Sequence, residues 1–420
     1  MTDFAFTEQV AAGQTLPGIR SLQLKTLWLL GASGAVVFIE PSPYEVVMIV
    51  AVVLFFVTGL SLSPLLLMPM FYLIVINIGY SIGAMSLLDI REVLFWVLTS
   101  WYMAVAALFF SMVMLEDTER RLDALSRGYV FGAVIASLAG IVGFFNLIPA
   151  ATDLLTFGGR ARGTFKDPNV LSAFLIYPAI YCLQRVFDAP FWPALRSGIK
   201  AAILVLAIFL AFSRAAWGTF AGATLLTIML MYITTKSPKR RFRIATLTLV
   251  AAALAVVAVI LLLSVSSTAS LFEERASLHQ PYDSGRFGRF GRHLLGAAMS
   301  LDYPFGIGPL QFERFFPEAT HNSFLNAFMS GGWLSGAVYP ALMITTLCYG
   351  FRGVFQRTPW QTSYIAVYST LVVTFFESFI IDTDHWRHYF LIIGLTWGIA
   401  VANRRMPKTV TPDAASAYSH

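Results

Sequence analysis

Apolar residues in this 420-residue chain are gathered into blocks of roughly 16–24 positions, and a helix needs about 20 such residues to cross a hydrocarbon core. Only 12% of the chain is charged, where a soluble domain carries about 25%. The blocks therefore predict an all-α, polytopic integral membrane protein rather than two or three soluble domains. Twelve spans are predicted, at 24–40, 44–60, 64–80, 92–115, 128–148, 169–187, 198–213, 215–235, 244–265, 322–350, 361–381 and 388–403. The rest divides into an N-terminal tail (1–23), one large loop (266–321) between spans 9 and 10, and a C-terminal tail (404–420).

Basic residues orient the spans, because short cytoplasmic loops hold excess Lys and Arg. Arg20 and Lys25, Arg120 with Arg121 and Arg127, the run from Lys236 to Arg243, Arg352 with Arg357, and Arg404, Arg405 and Lys408 all fall on one side of a twelve-span count. That side is read as the cytoplasm, with both termini on it. The net charge of +6 is then a matter of basic loops, not nucleic-acid affinity. The acidic N-terminus lacks the basic region of a cleaved signal peptide. Cys182 and Cys348 both lie in apolar blocks and read as packing residues.

The opposite side should be poor in cations, yet it carries Arg160, Arg162 and Lys166 in 149–168, Arg214 at a tight hairpin, and Arg275, Arg286, Arg289, Arg292 and Arg314 in 266–321. Two readings stand. The arginines pair with acidic residues of the same loop, such as Glu273, Asp283, Asp302 and Glu318, or they hold an anionic ligand, for which the planar guanidinium fork suits phosphate. No longer repeat stands out, but GRFGRFGRH at 285–293 is a short one. If it is helical, Arg286, Arg289 and His293 share a face. Its three glycines weaken a helix and suggest close backbone approach.

Five of six histidines, His279, His293, His321, His385 and His388, fall on this same side, and His420 is terminal. His321 ends the long loop and opens span 10. A half-dehydrated imidazole there can take a proton near neutral pH; the plainer reading is a helix-start residue bonded to a loop carbonyl. DTDHWRH at 382–388 offers Asp382, Asp384, His385 and His388 to a metal, or forms an interfacial polar network. No Walker loop, dinucleotide fingerprint or GxSxG elbow is present, which argues against nucleotide-driven transport by this chain alone.

Three patches, in order, carry a resemblance. HNSFLNAFMSGG places Gly332 eleven residues after His321. SGRFGRFGRHLLGAAMSLDYPFGIGPLQF at 284–312 places Arg286, Pro304, Gly306 and Gly308 before that histidine. RGTFKDPNVLSAFL at 162–175 is followed by SRAAWGTF at 213–220. In these the chain resembles the bacterial O-antigen ligase and O-antigen polymerase superfamily of envelope glycan enzymes. The patches cover about a quarter of the sequence. The threefold arginine repeat departs from the family pattern of one dominant Arg, so Arg286 is the aligned residue while a slip to Arg289 stays open.

The resemblance implies a glycosyltransferase without nucleotide sugar, metal or other cofactor, working at the periplasmic face of the inner membrane. The donor would be a glycan on undecaprenyl diphosphate and the acceptor a hydroxyl of lipid A–core. His321 and Arg286 would be catalytic; Arg162, Arg214, Arg289 and Asn322 would bind substrate. An O-antigen or exopolysaccharide polymerase, whose acceptor is another lipid-linked repeat unit or a growing glycan chain, shares these motifs. A flippase or transporter of lipid-linked glycan is the alternative of another class, but intramembrane charge marks such pathways and Glu377 is the main mid-span charge here.

Overall fold

The protein is described from a computed structural model, covering residues 17–39, 41–276, 283 and 285–406. His279, His420 and most of both predicted tails lie outside the described residues. Among the described residues the chain is helical apart from one hairpin of two-residue strands. Its helices are α1 (Pro17–Ser33), α2 (Pro43–Thr58), α3 (Leu67–Gly83), α4 (Arg91–Val113), α5 (Thr118–Phe144), α6 (Thr152–Leu155), α7 (Pro168–Asp188), α8 (Phe191–Leu210), α9 (Arg214–Thr234), α10 (Pro238–Leu263), α11 (Ser266–Ala276), α12 (Arg289–Ser300), α13 (Ser323–Val354), α14 (Gln361–Glu377) and α15 (Arg387–Arg405). The hairpin pairs β1 (Thr156–Phe157) with β2 (Arg160–Ala161).

Among the described residues, eight helices are long and apolar enough to cross a membrane: α3 with the short 3₁₀ turn before it, α4, α5, α7, α8, α9, α10 and α13. A helix also lies at each of the other four predicted spans. Local chemistry sets their starts. Ser42–Pro43, Asp167–Pro168 and Ser237–Pro238 each place a capping side chain before a proline in the first turn, where the missing N–H costs nothing. The predicted boundaries shift where charge continues a helix. Span 5 was expected from 128, but α5 begins at Thr118, because Arg121 and Asp123 find partners at the bundle end instead of breaking the helix. Span 1 likewise moves to 17–33, and residues after it turn to dock their Val37 and Phe38 N–H groups on the Thr164 carbonyl.

Polar contacts sort into two sets. One joins Arg20 to Asp117, Arg185 to Asp123, Arg240 to Asp188, and Trp360 to Asn403. The other joins Thr164 to Ala35, Arg160 to the Ala211 carbonyl, Arg214 to Asp283, and Arg387 to Glu45. Each set ties together alternate connections of the chain, as helices running end to end require. None of the most apolar stretch of α10 is buried in the protein. Glu377, read as a mid-span charge, is the last residue of α14. Cys182 is buried as expected, whereas Cys348 is exposed on α13.

Helix α13 is broken in the middle. Gly331 and Gly332 have non-helical backbone, Gly332 at φ 63° and ψ −160°. A segment of the long loop fits into the break. Ile307 and Gly308 donate N–H bonds to the Met329 carbonyl at 2.7 and 3.1 Å, and Trp333 N–H donates to Pro304 O at 2.9 Å. A Cβ on Gly332 would collide with the Pro304 carbonyl, and one on Gly306 would lie 2.6 Å from Met329 O. The break thus leaves few orphaned backbone groups, a condition for irregular backbone between membrane-crossing helices. Phe312, Phe316, Leu325 and Met329 form a small separate core under this segment. It fixes α12 and the inserted loop on the first half of α13, the half that begins just after His321.

Candidate active site

His321 is held by its backbone. It adopts φ +47°, a conformation costly for a residue with a Cβ. The Asp382 carboxylate compensates by accepting three bonds: from Thr320 Oγ1 at 2.9 Å, His321 N–H at 3.0 Å and Asn322 N–H at 2.9 Å. Next to it, Ser323, Ser378 and Thr383 form a closed network of hydroxyl and backbone bonds. The connection after α14 is thereby fastened to the start of α13.

The His321 ring stays less committed. Its Nδ1 lies 3.9 Å from Asp382 and its Nε2 4.0 Å from Glu318, both too long for a hydrogen bond. Burial, then the nearby Arg289 cation, lower its pKa below the ordinary histidine value. A neutral imidazole at neutral pH is therefore available to accept a proton. Behind it, His293 Nε2 meets the Thr320 carbonyl at 2.9 Å and buttresses the same turn. Burial also lowers His293, in keeping with a neutral ring donating to that carbonyl. Asp382 is pushed up from the usual carboxylate range by burial and by Asp384.

The arginines divide by what they touch. Arg214, at the start of α9, reaches Asp283 Oδ2 at 2.8 Å, and Arg289 approaches Oδ1 of the same carboxylate at 3.4 Å. Two guanidinium groups from distant segments thus converge on one anion, near enough to His321 for Arg289 to act on it. Arg286 stands before α12 and is exposed, its guanidinium over the Phe287 ring at 5.7 Å, with no ion pair among the described residues. The GRF repeat is accordingly not one helix. Its first Arg lies in a turn, and the Arg286 carbonyl packs so closely on Gly291 that a Cβ there would clash. At Gly291 the expected close approach is to the chain itself, whereas a Cβ on Gly285 would meet nothing within 4 Å.

Arg292, left outside the site by the family register, is 2% exposed. It donates to Phe287 O at 2.9 Å and to Glu318 at 2.6 Å, fastening the loop internally. Arg162 spends its donors on the carbonyls of Asp153, Leu154 and Lys166 and organises the β1–β2 connection. Asn322 caps α13, accepting from Phe324 and Leu325 N–H and donating to Phe379 O. The salt-bridge reading of the basic loop therefore has members: Arg292 and Arg275 pair within it, and Arg214 and Arg289 meet on its Asp283.

Sequence reasoning weighed the 382–388 cluster as metal ligands. In the structure its members diverge. Asp382 holds the His321 turn, Asp384 accepts from Asn326 Nδ2 at 2.8 Å, and His385 stacks on Trp96 with ring centroids 4.0 Å apart. No group of three potential metal-ligating side chains occurs among the described residues. The role of Asp382 was missed, as was the sharing of Asp283 by two arginines. The only sequence signal for Asp382 was an acidic residue at a predicted span edge, and Asp283 was visible only as one acid of the loop among several. No protein-family model matches the chain, and no curated protein matches its sequence.

Proposed function

We propose that the protein is a membrane glycosyltransferase that moves a glycan from undecaprenyl diphosphate to an acceptor hydroxyl, with lipid A–core as acceptor. The observation that carries this reading is His321, its backbone fixed by Asp382 and its ring held below the ordinary histidine pKa by burial and by Arg289, which meets Arg214 on one carboxylate. In the step, the acceptor oxygen forms a bond to the anomeric carbon, and the bond from that carbon to the diphosphate oxygen breaks. The acceptor proton passes to His321, and the diphosphate leaves with its charge met by Arg214 and Arg289 once they release Asp283. Fixed cations in a site of low dielectric stabilise such a leaving group better than water does. Arg286, exposed and without an ion pair among the described residues, is the aligned family position and meets the donor from the rim. The resemblance in three ordered patches supports the same chemistry.

Twelve crossings, both termini cytoplasmic and the His321 end periplasmic in the inner membrane complete the proposal; the two sets of end contacts and the basic-residue bias support it. In a Cys348→Ser background, cysteines at Lys236 and Glu313 should label from opposite sides with an impermeant thiol reagent; labelling of both from outside would break the assignment. The function is tested in a deletion strain by lipopolysaccharide gel. Loss of the long-chain ladder with accumulated lipid-linked polymer is the expected result. A single capped repeat would instead mean a polymerase, and an unchanged lipopolysaccharide profile with lost exopolysaccharide would overturn lipid A–core as acceptor and mean a different polymer.

A further inference from the structure

A cavity of about 980 Å³ lies between α1, α2, α4, α5, α7 and α15, separate from the arginine pair. Its polar lining is at the bundle end that holds His321: Glu45 after the α1–α2 turn, Arg91 and Glu92 at the start of α4, and Arg387 and His388 at the start of α15. Its apolar lining continues to Met103, twelve residues along α4 from Arg91 and so roughly 18 Å deeper at the helical rise. The space is long, polar at one end and apolar along its length. That is the shape of a lipid with a headgroup.

The headgroup chemistry follows from the charges. Arg387 is ion-paired with Glu45 and also donates to Ser42, and Arg91 has Glu92 beside it. Two cations against two carboxylates leave the mouth without net charge, so it offers a diphosphate no advantage. It does offer unused hydrogen-bonding capacity. Among the described residues the Nε2 of His388 and the Oε2 of Glu45 are enclosed and have no hydrogen-bond partner, a condition that costs free energy until a ligand or water supplies one. Trp386 adds an aromatic ring stacked on His388 at 5.1 Å. A donor–acceptor pair beside an aromatic ring suits vicinal hydroxyls on a ring with an apolar face.

We propose that this cavity binds an uncharged sugar headgroup, with its lipid chain running toward Met103. The site stands on the cavity itself and does not depend on the glycan-transfer reading. A diazirine-tailed alkyl glucoside, photolysed with the full chain in lipid nanodiscs, should label peptides around Met103 and Leu391. Octyl glucoside should compete and octyl phosphate should not. His388→Phe keeps the ring but removes Nε2, and should weaken labelling about three- to tenfold, the worth of one net hydrogen bond. Met103→Trp fills the depth and should abolish labelling while the protein still elutes as the wild type does. Labelling no stronger than on the lipid-facing 249–261 stretch, equal competition by octyl phosphate, or indifference to both substitutions would overturn the site. Labelling that persists in an inactive His321→Ala protein keeps this result separate from any failure of the transferase reading.

Discussion

The two ends of the helical bundle use the same residue types for different ends. At one, each arginine of a small network has a carboxylate or helix carbonyl in reach: Arg20 with Asp117, Arg121 with Val113 O, Arg185 and Arg127 with Asp123. The backbone there is ordinary, apart from Asp117 at φ +48°. At the other end a helix is broken, His321 sits in the left-handed region, and two arginines share one carboxylate. Strained backbone persists only where surrounding contacts hold it, and such places are where function concentrates. The comparison teaches that charge count says little: balanced pairs fasten ordinary helices at one end, while at the other the Asp382 carboxylate holds a strained turn.

The largest effect should come from the residue on which the contrast turns. His321→Ala should cut glycan transfer by roughly 10²–10⁴-fold, the worth of a general base, with normal membrane insertion. Transfer near the wild-type rate by this variant in a reconstituted assay would remove His321 from the chemistry and reduce the strained turn to a structural corner.

Gly332→Ala should act next, through the fold. Its backbone lies in a region that is essentially glycine-only, and its Cβ would meet Pro304 O. A loss of about 3 kcal/mol or more is expected, from roughly 1–3 kcal/mol of strain plus the displaced loop, seen as a lower melting temperature in detergent. Gly198, whose Cβ would meet only Val186 at 3.8 Å, provides the control: Gly198→Ala should be neutral or stabilising. Equal behaviour of the two would mean that the break in α13 is not fixed by this contact.

Much of this contrast could be read from the chain, and some could not. Apolar blocks and Ser–Pro or Asp–Pro starts are local signals, so helices appear where expected. The motif glycines were visible, but their purpose was not, because it depends on residues 304–308 meeting 329–333 in space. The three arginines of the GRF repeat have nearly identical sequence neighbours. Only folding separates them, burying Arg292 against Glu318, turning Arg289 to Asp283 and leaving Arg286 in the open. Asp382 is sixty residues from the backbone N–H of Asn322 that it accepts, a partnership that no local pattern carries.

The arginines sharpen the comparison at a smaller scale. Arg289→Lys keeps the charge and loses the fork, and should lower transfer by about 10–100-fold, near the 1.5–3 kcal/mol of a hydrogen bond to a charged group. Arg292→Lys should instead lower thermal stability while sparing the rate per folded molecule. The pH profile adds a sign. His321 works as a base only when neutral, and its pKa is lowered, so the rate should hold through pH 7 and fall only below the ordinary histidine value of about 6.5. Arg289→Gln removes a cation that lowers this pKa and should move the acid limb to higher pH, whereas Arg289→Lys should leave it in place. An acid limb that ignores Arg289→Gln would show that the arginine and the histidine do not share a site. Arg286→Lys with the larger loss of rate would return the main contact to the family register.

The smallest effect belongs to the other end. Arg127 is 61% exposed and meets Asp123 at 2.7 Å, one helical turn away. Such a pair contributes about 0.3–0.5 kcal/mol and is screened by salt. Asp123 also keeps Arg185 at 3.3 Å and accepts from the Tyr181 hydroxyl at 2.8 Å, so removing Arg127 leaves no carboxylate stranded. Arg127→Ala should therefore shift the melting temperature by a degree or two at most, less in high salt, and leave transfer and its pH profile unchanged. A clear loss of transfer with the fold intact would mean that the two ends are energetically coupled through α5 and α7. The balanced end would then be part of the working machinery, and the contrast between a scaffold end and an active end would have to be abandoned.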